Sequence, residues 1–180
     1  MQRNNFIDHF IDLLKTFGLH KIFGAGPQKY SDFCDPIGNF SISYPSQWYF
    51  DRDIIVVDGS YTISFESGKS AFVIAVDTNI SNDFDFDKHV TSEFTGPKSG
   101  IRSDLKKSIF HEMRAYTREY SYVSGQMDYF GGGIIFFTEN TVFSLSWNGP
   151  EKEKERLNTI FQYMVKTLSI NNGDNIKKNL

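Results

Sequence analysis

A chain of 180 residues with a formal net charge of −3 and a pI near 5.8 has the size of one globular domain and lacks the basic balance of a general nucleic-acid binder. Its 39% hydrophobic and 16% aromatic content, with 18 Phe and 9 Tyr, excludes a disordered chain and supplies a core that needs neither metal nor disulfide. The single cysteine, Cys34, has no partner for an internal bridge.

Phe6, Phe10, Leu13, Leu14 and Phe17 recur at helical spacing, so residues 5–17 are read as an amphipathic helix that Gly18 stops. Asp8, His9, Asp12 and Lys15 interrupt its apolar stretches, which argues against a secretory signal. No segment reaches the length of a membrane span, and the chain is expected to be soluble or peripheral. Gly24-Ala25-Gly26-Pro27 is punctuation that separates this helix from the body. Phe40, Ile42 and Tyr44 then alternate with Ser41 and Ser43, the period of a strand with one buried face, and Pro45 ends it.

Strands are expected at Ile54–Val57, Tyr61–Phe65 and Ala71–Val76, joined by turn-rich segments. Between residues 84 and 94 the period changes: Phe86, Val90 and Phe94 lie four apart, behind Ser81, Asn82, Asp83 and Asp85, which can cap a helix. Thr95–Ser103 reads as a loop and Ile109–Val123 as one long strand, with Arg114, Tyr116, Arg118, Tyr120 and Tyr122 on one side. Two strands, Ile134–Thr138 and Thr141–Trp147, form a hairpin. Pro150 is placed at the first position of a closing helix whose stripe is Leu157, Ile160, Phe161, Met164 and Leu168, and the residues from Asn171 on read as a polar tail.

The run Gly38-Asn39-Phe40-Ser41-Ile42-Ser43-Tyr44-Pro45-Ser46-Gln47-Trp48 resembles the opening strand of the PsbP and Mog superfamily, with Tyr30-Ser31-Asp32 as its lead-in. Met113-Arg114-Ala115-Tyr116 and Lys166-Thr167-Leu168-Ser169-Ile170 agree with it in order. The resemblance covers residues 30–170, leaving residues 1–29 as helix and linker and 171–180 as tail. It implies an α+β fold, an antiparallel β-sheet flanked by helices in an α/β/α sandwich. Tyr44, Pro45 and Trp48 are its structural motif: proline ends the ladder and the indole covers the open end of the core. The functions it implies are non-catalytic and scatter: extrinsic subunits or assembly factors of thylakoid photosystem complexes, binders of a nuclear GTPase, and effector chaperones. A shared fold does not choose among them.

Motifs for chemistry are incomplete. Asp83, Asp85 and Asp87 open a calcium-loop pattern and are the candidate ligands for calcium or manganese, but Lys88 stands where that loop turns on Gly and Phe94 where it ends on Glu. His111-Glu112 begins a zinc-protease signature that Ala115 breaks. Gly131-Gly132-Gly133 leads into a strand, so close backbone approach explains it better than a phosphate cradle. Charge is more telling: residues 50–95 carry nine acidic and three basic side chains, and residues 96–118 six basic and two acidic. Lys98, Arg102, Lys106, Lys107, Arg114 and Arg118, interleaved with tyrosines, are expected to form a surface for an acidic partner. The helix with Phe6, Phe10, Leu14 and Phe17 can cover the sheet, dock into a partner or lie on a membrane surface. The reading is a non-catalytic accessory or assembly subunit of a larger protein complex, a photosystem or another membrane complex. Its alternatives are a soluble chaperone or GTPase-binding module of the Mog-like branch and a metal-dependent enzyme.

Overall fold

The computed structural model describes residues 28–50, 56, 59–78, 80–81, 83–94, 102–138 and 140–171. The expected N-terminal helix, Lys98 and most of the expected strand Ile54–Val57 lie outside them, as does the tail beyond Asn171.

Chain order is β1 (Tyr30–Cys34), β2 (Phe40–Pro45), β3 (Tyr49–Phe50), β4 (Ser60–Ser67), β5 (Ser70–Asp77), α1 (Phe86–Phe94), β6 (Arg102–Phe110), β7 (Met113–Ser124), β8 (Met127–Phe137) and β9 (Val142–Pro150). A 3-10 turn (Glu151–Glu153), α2 (Lys154–Thr167) and β10 (Ser169–Ile170) follow. A three-stranded sheet has the order β1-β2-β10, and a seven-stranded sheet β3-β4-β5-β9-β8-β7-β6, every pair antiparallel. Antiparallel hairpins need only tight turns, which is why the turn-rich sequence builds a meander on each side of the β5–β9 junction.

The alternation read from the sequence becomes layers through register. Tyr61, Ile63 and Phe65 of β4 face Val76, Ile74 and Phe72 of β5, which in turn face Phe143, Leu145 and Trp147 of β9. Leu157, Ile160, Phe161 and Met164 of α2 close over this side, joined by Phe33, Phe40, Ile42 and Tyr44 of the small sheet. Fully burying each such side chain is worth roughly 1.5–3 kcal/mol, so this cluster dominates stability. Alternate β8 residues divide between the two sides: Ile134 and Phe136 join the main core, while Ile135 packs with Phe86 and Val90 of α1, Tyr116 and Val142. These are the α2 face and the α1 face of the large sheet. Asp85 Oδ1 accepts the Lys88 amide at 3.0 Å and caps α1, as its position before the helix suggested.

The architecture is therefore mostly antiparallel β-sheet with two short helices of nine and 14 residues. One helix packs on each face of the large sheet, so the helical content flanking it is small. Three element boundaries also differ from expectation. The segment read as a loop at Thr95–Ser103 already enters β6 at Arg102, and Ile109–Val123 is two strands turned at His111 and Glu112. Both turn residues lie in the left-handed region, φ 47° and 64°, as a two-residue hairpin requires, although neither is the glycine or asparagine that usually signals one. Pro150 ends β9, with φ −59° and ψ 135°, and stands before the helical turn instead of at its first position.

Candidate functional site

The three strands β6, β7 and β8 present a surface on each side of the large sheet. On the α1 face, register brings Lys107 opposite Tyr116, Ile109 opposite Arg114, Arg118 opposite Gly133, Tyr120 opposite Gly131, and Tyr122 opposite Tyr129. The alternation of Arg114, Tyr116, Arg118, Tyr120 and Tyr122 expected for β7 is therefore observed on one side. Tyr116 packs beneath α1, its ring edge-on to Phe86 with 5.8 Å between centroids, and the Arg114 guanidinium lies 5.3 Å from the centre of the same Phe86 ring. Tyr122 stacks on Tyr129 at 5.1 Å, and the Arg118 guanidinium lies 5.1 Å from the Tyr120 ring centre. Burial raises the Tyr120 phenol and lowers the Arg118 guanidinium, which still remains a cation at neutral pH.

The six basic residues divide. Lys107, Arg114 and Arg118 share the α1 face; Lys106 pairs with Thr117 on the opposite side. Arg102 is described as backbone, opposite Ser121. Asp87 of α1 sits among the cations, 3.9 Å from Lys107 Nζ and 3.8 Å from Arg114 Nη1, and accepts the Tyr116 hydroxyl at 2.9 Å. These ion pairs are solvent-exposed and worth at most about 1 kcal/mol each, but they orient the cations against the helix. Of the other candidate metal ligands, Asp85 is committed to the helix cap, and Asp83 has its carboxyl held below the usual range by a hydrogen bond from Ser81. The three carboxylates thus have three separate tasks, and among the described residues no cluster of three or more metal-ligating side chains is assembled.

On the α2 face, a cleft of about 790 Å³ opens between α2 and β6–β8. Phe130, Ile134, Trp147 and Phe161 line its depth; His111 and Glu119 border it on the strand side, and Lys154, Asn158, Gln162 and Lys166 on the helix side. Those four helix positions recur every fourth residue, a polar stripe beside the apolar one. That spacing was legible in the sequence, but its counterpart on the strands required the fold.

The glycine run explains how β8 serves both surfaces. A Cβ on Gly131 would lie 2.4 Å from the Tyr120 ring, and one on Gly132 would lie 2.6 Å from the Trp147 indole. Tyr120 crosses β8 on one side to donate its hydroxyl to the Trp147 carbonyl at 3.1 Å, and Trp147 crosses on the other. Close approach, as expected, is the reason for the glycines.

The Tyr44, Pro45 and Trp48 motif is structural. Pro45 accepts the Trp48 amide at 2.8 Å, and Trp48, 5% exposed, meets Phe161 of α2 edge-on at 6.0 Å. Tyr44 packs on Phe65 at 4.9 Å. Cys34 is an exposed thiol at the end of β1.

No family model and no curated protein matches this chain. Solved structures do. The fold is similar to that of cyanobacterial PsbP (CyanoP) from Synechocystis sp. PCC 6803, with a TM-score of 0.57 at 11% identity over 82% of this chain and 96% of that one. A protein of Bacteroides thetaiotaomicron aligns with a TM-score of 0.55 at 17% identity, over 82% of this chain and 50% of that one. One of unknown function from Pseudomonas aeruginosa aligns with a TM-score of 0.50 at 13% identity, over 79% and 98%. The chain has a PsbP-like fold, and the resemblance read from its opening strand is borne out at that level.

Proposed function

We propose that this chain is a non-catalytic accessory or assembly domain that docks on a larger protein complex through the α1 face of β6–β8, with the N-terminal segment carrying Phe6, Phe10, Leu14 and Phe17 as a second contact. The observation that carries the reading is the strip itself. Lys107, Arg114 and Arg118 stand beside Tyr120, Tyr122 and Tyr129, together with Ile109, which is 77% exposed on the edge of the sheet. Arginine and tyrosine are the residues that interfaces favour, and long-range attraction from the cations would steer an acidic partner. Lys98 would extend the strip, whereas Arg102, opposite Ser121, shares the register of Lys106 on the other side. The PsbP-like fold supports an accessory role, and a photosystem or another membrane complex is the partner class it suggests. Among the described residues no helix is long and apolar enough to cross a membrane.

The test is native isolation of the tagged full chain from its source cells. The wild type should retain a multi-subunit complex, with retention falling as salt rises. Lys107→Gln with Arg114→Gln should weaken retention roughly tenfold, about 1.4 kcal/mol, while the variant keeps its fold. Undiminished retention overturns the docking face. Recovery of a single soluble GTPase or client in place of a complex would move the chain to the Mog-like branch, and a stoichiometric transition metal on untagged protein would overturn the non-catalytic reading.

A further inference from the structure

The docking strip leaves the cleft on the α2 face without a role. Its depth is aromatic and aliphatic, with Phe130, Ile134 and Phe161 buried and Trp147 partly so. A groove of this kind, bordered by polar side chains, fits an amphipathic helix laid in with its apolar face down. We propose that residues 5–17 of this same chain occupy it, sheltering their apolar stripe in cis.

Four features favour that occupant over a separate molecule. At 100° per residue, Phe6, Phe10, Leu13, Leu14 and Phe17, with Ile7 and Ile11, fill one arc, and Asp8, Asp12, Lys15, Thr16 and His9 fill the other. A helix of that length measures about 20 Å, and the cleft's helix side from Lys154 to Lys166 about 18 Å, at 1.5 Å per residue. The chain before Gln28 starts beside α2: Gln28 Nε2 donates to Gln47 at 2.9 Å, and the Tyr30 ring lies 4.0 Å from that of Tyr163 on α2. Residues 18–27 span up to roughly 33–36 Å, enough to carry the segment round the helix.

So short a helix is marginal alone, and a tether of ten residues gives an effective concentration in the millimolar range, which favours the chain's own cleft over a second copy's. The inference stands on the cleft and the segment, independently of which assembly the chain joins. It makes the segment's apolar stripe available to a partner only after it leaves the cleft.

Paramagnetic relaxation in the isolated full chain tests this. A nitroxide is attached through Asp12→Cys in a Cys34→Ser background, so that the label sits on the polar arc. The amide signals of Asn158, Gln162 and Val165 should lose intensity several-fold relative to the reduced label, while those of Asp87 and Lys88 in α1, on the far side of the sheet, keep most of theirs. Adding Phe6→Asp and Phe10→Asp should restore the lost signals. Three outcomes overturn the proposal: no loss at the α2 amides, a loss that survives the double substitution, or a loss that appears on unlabelled chains mixed with labelled ones, which would make a second copy the occupant. No partner is present in the measurement, so a failure of the docking strip cannot be mistaken for a failure here.

Discussion

Asp35 is one of two buried polar side chains among the described residues, 5% exposed beneath the β1–β2 connection. Its carboxylate accepts the Ile37 amide at 3.1 Å, the Asn39 amide at 2.9 Å and the Tyr61 hydroxyl at 2.5 Å, and Asn39 Nδ2 donates to that hydroxyl at 2.8 Å. A loop residue is thereby fastened to β4 of the large sheet. Burial, followed by the bond to Asp35, raises the Tyr61 phenol well above its usual range. The folded state then binds this proton more tightly than the unfolded chain, so the stabilisation is complete below about pH 10 and is lost as pH climbs through the raised value. Tyr61→Phe should cost about 1–3 kcal/mol near neutral pH by removing one donor from a buried carboxylate. Urea titrations at a series of pH values should show the gap between the two proteins narrowing above about pH 10. A gap that stays constant would mean the phenol is not part of the alkaline loss. Nothing in the sequence signals this cluster, because its members are 26 and 22 residues apart and meet only when the two sheets pack.

At the scale of single elements, β8 is the strand whose composition and position disagree most. Three successive glycines weaken a strand by leaving no side chain to pack, yet β8 lies between β7 and β9 inside the large sheet. The reason is lateral: Trp147 from β9 and Tyr120 from β7 lie across it and supply the packing that its own residues omit. Gly132→Ala places a methyl where the indole sits, and overpacking of this kind costs roughly 1–3 kcal/mol. Thermal unfolding should show a lowered midpoint, with a changed near-ultraviolet signal as Trp147 shifts. An unchanged midpoint would show that the indole relocates freely. In β7, by contrast, strict alternation announced which side each arginine and tyrosine takes, since strand period is a local property. The break at His111 and Glu112 was hidden because neither residue is among the glycine, asparagine and aspartate that usually signal a two-residue hairpin, and the pairing of β6 with β7 sets them in the left-handed region.

Across the whole molecule, Phe161 of α2 is where the layers meet. It lies 6.0 Å from Trp48, 6.1 Å from Phe72, 6.3 Å from Phe130 and 6.2 Å from Trp147, between ring centres. Trp48 belongs to the turn after the small sheet and Phe72 to the large one, so one ring couples both. Phe161→Ala should cost about 3–5 kcal/mol. Tryptophan fluorescence and far-ultraviolet circular dichroism should still report one coincident transition, because the small sheet has no core apart from the one it shares with α2 and the large sheet. Separate transitions would show that the small sheet is an independent unit.

The sequence by itself determined what depends on neighbours along the chain: the period-two strands from Phe40 to Trp147, the cap and stripe of α1, the apolar stripe of α2, and the Pro45 and Trp48 motif that pointed to the PsbP-like fold. Side-chain period and backbone propensity are fixed within a few residues, so they survive without tertiary contacts. Tertiary structure alone decided the strand order, the separation of Lys106 from Lys107, Arg114 and Arg118, the use of Asp87 as their counter-charge, and the cleft between α2 and β6–β8. Each of these depends on residues far apart in the chain being paired in one register, and a shift of one residue would send every side chain to the other face.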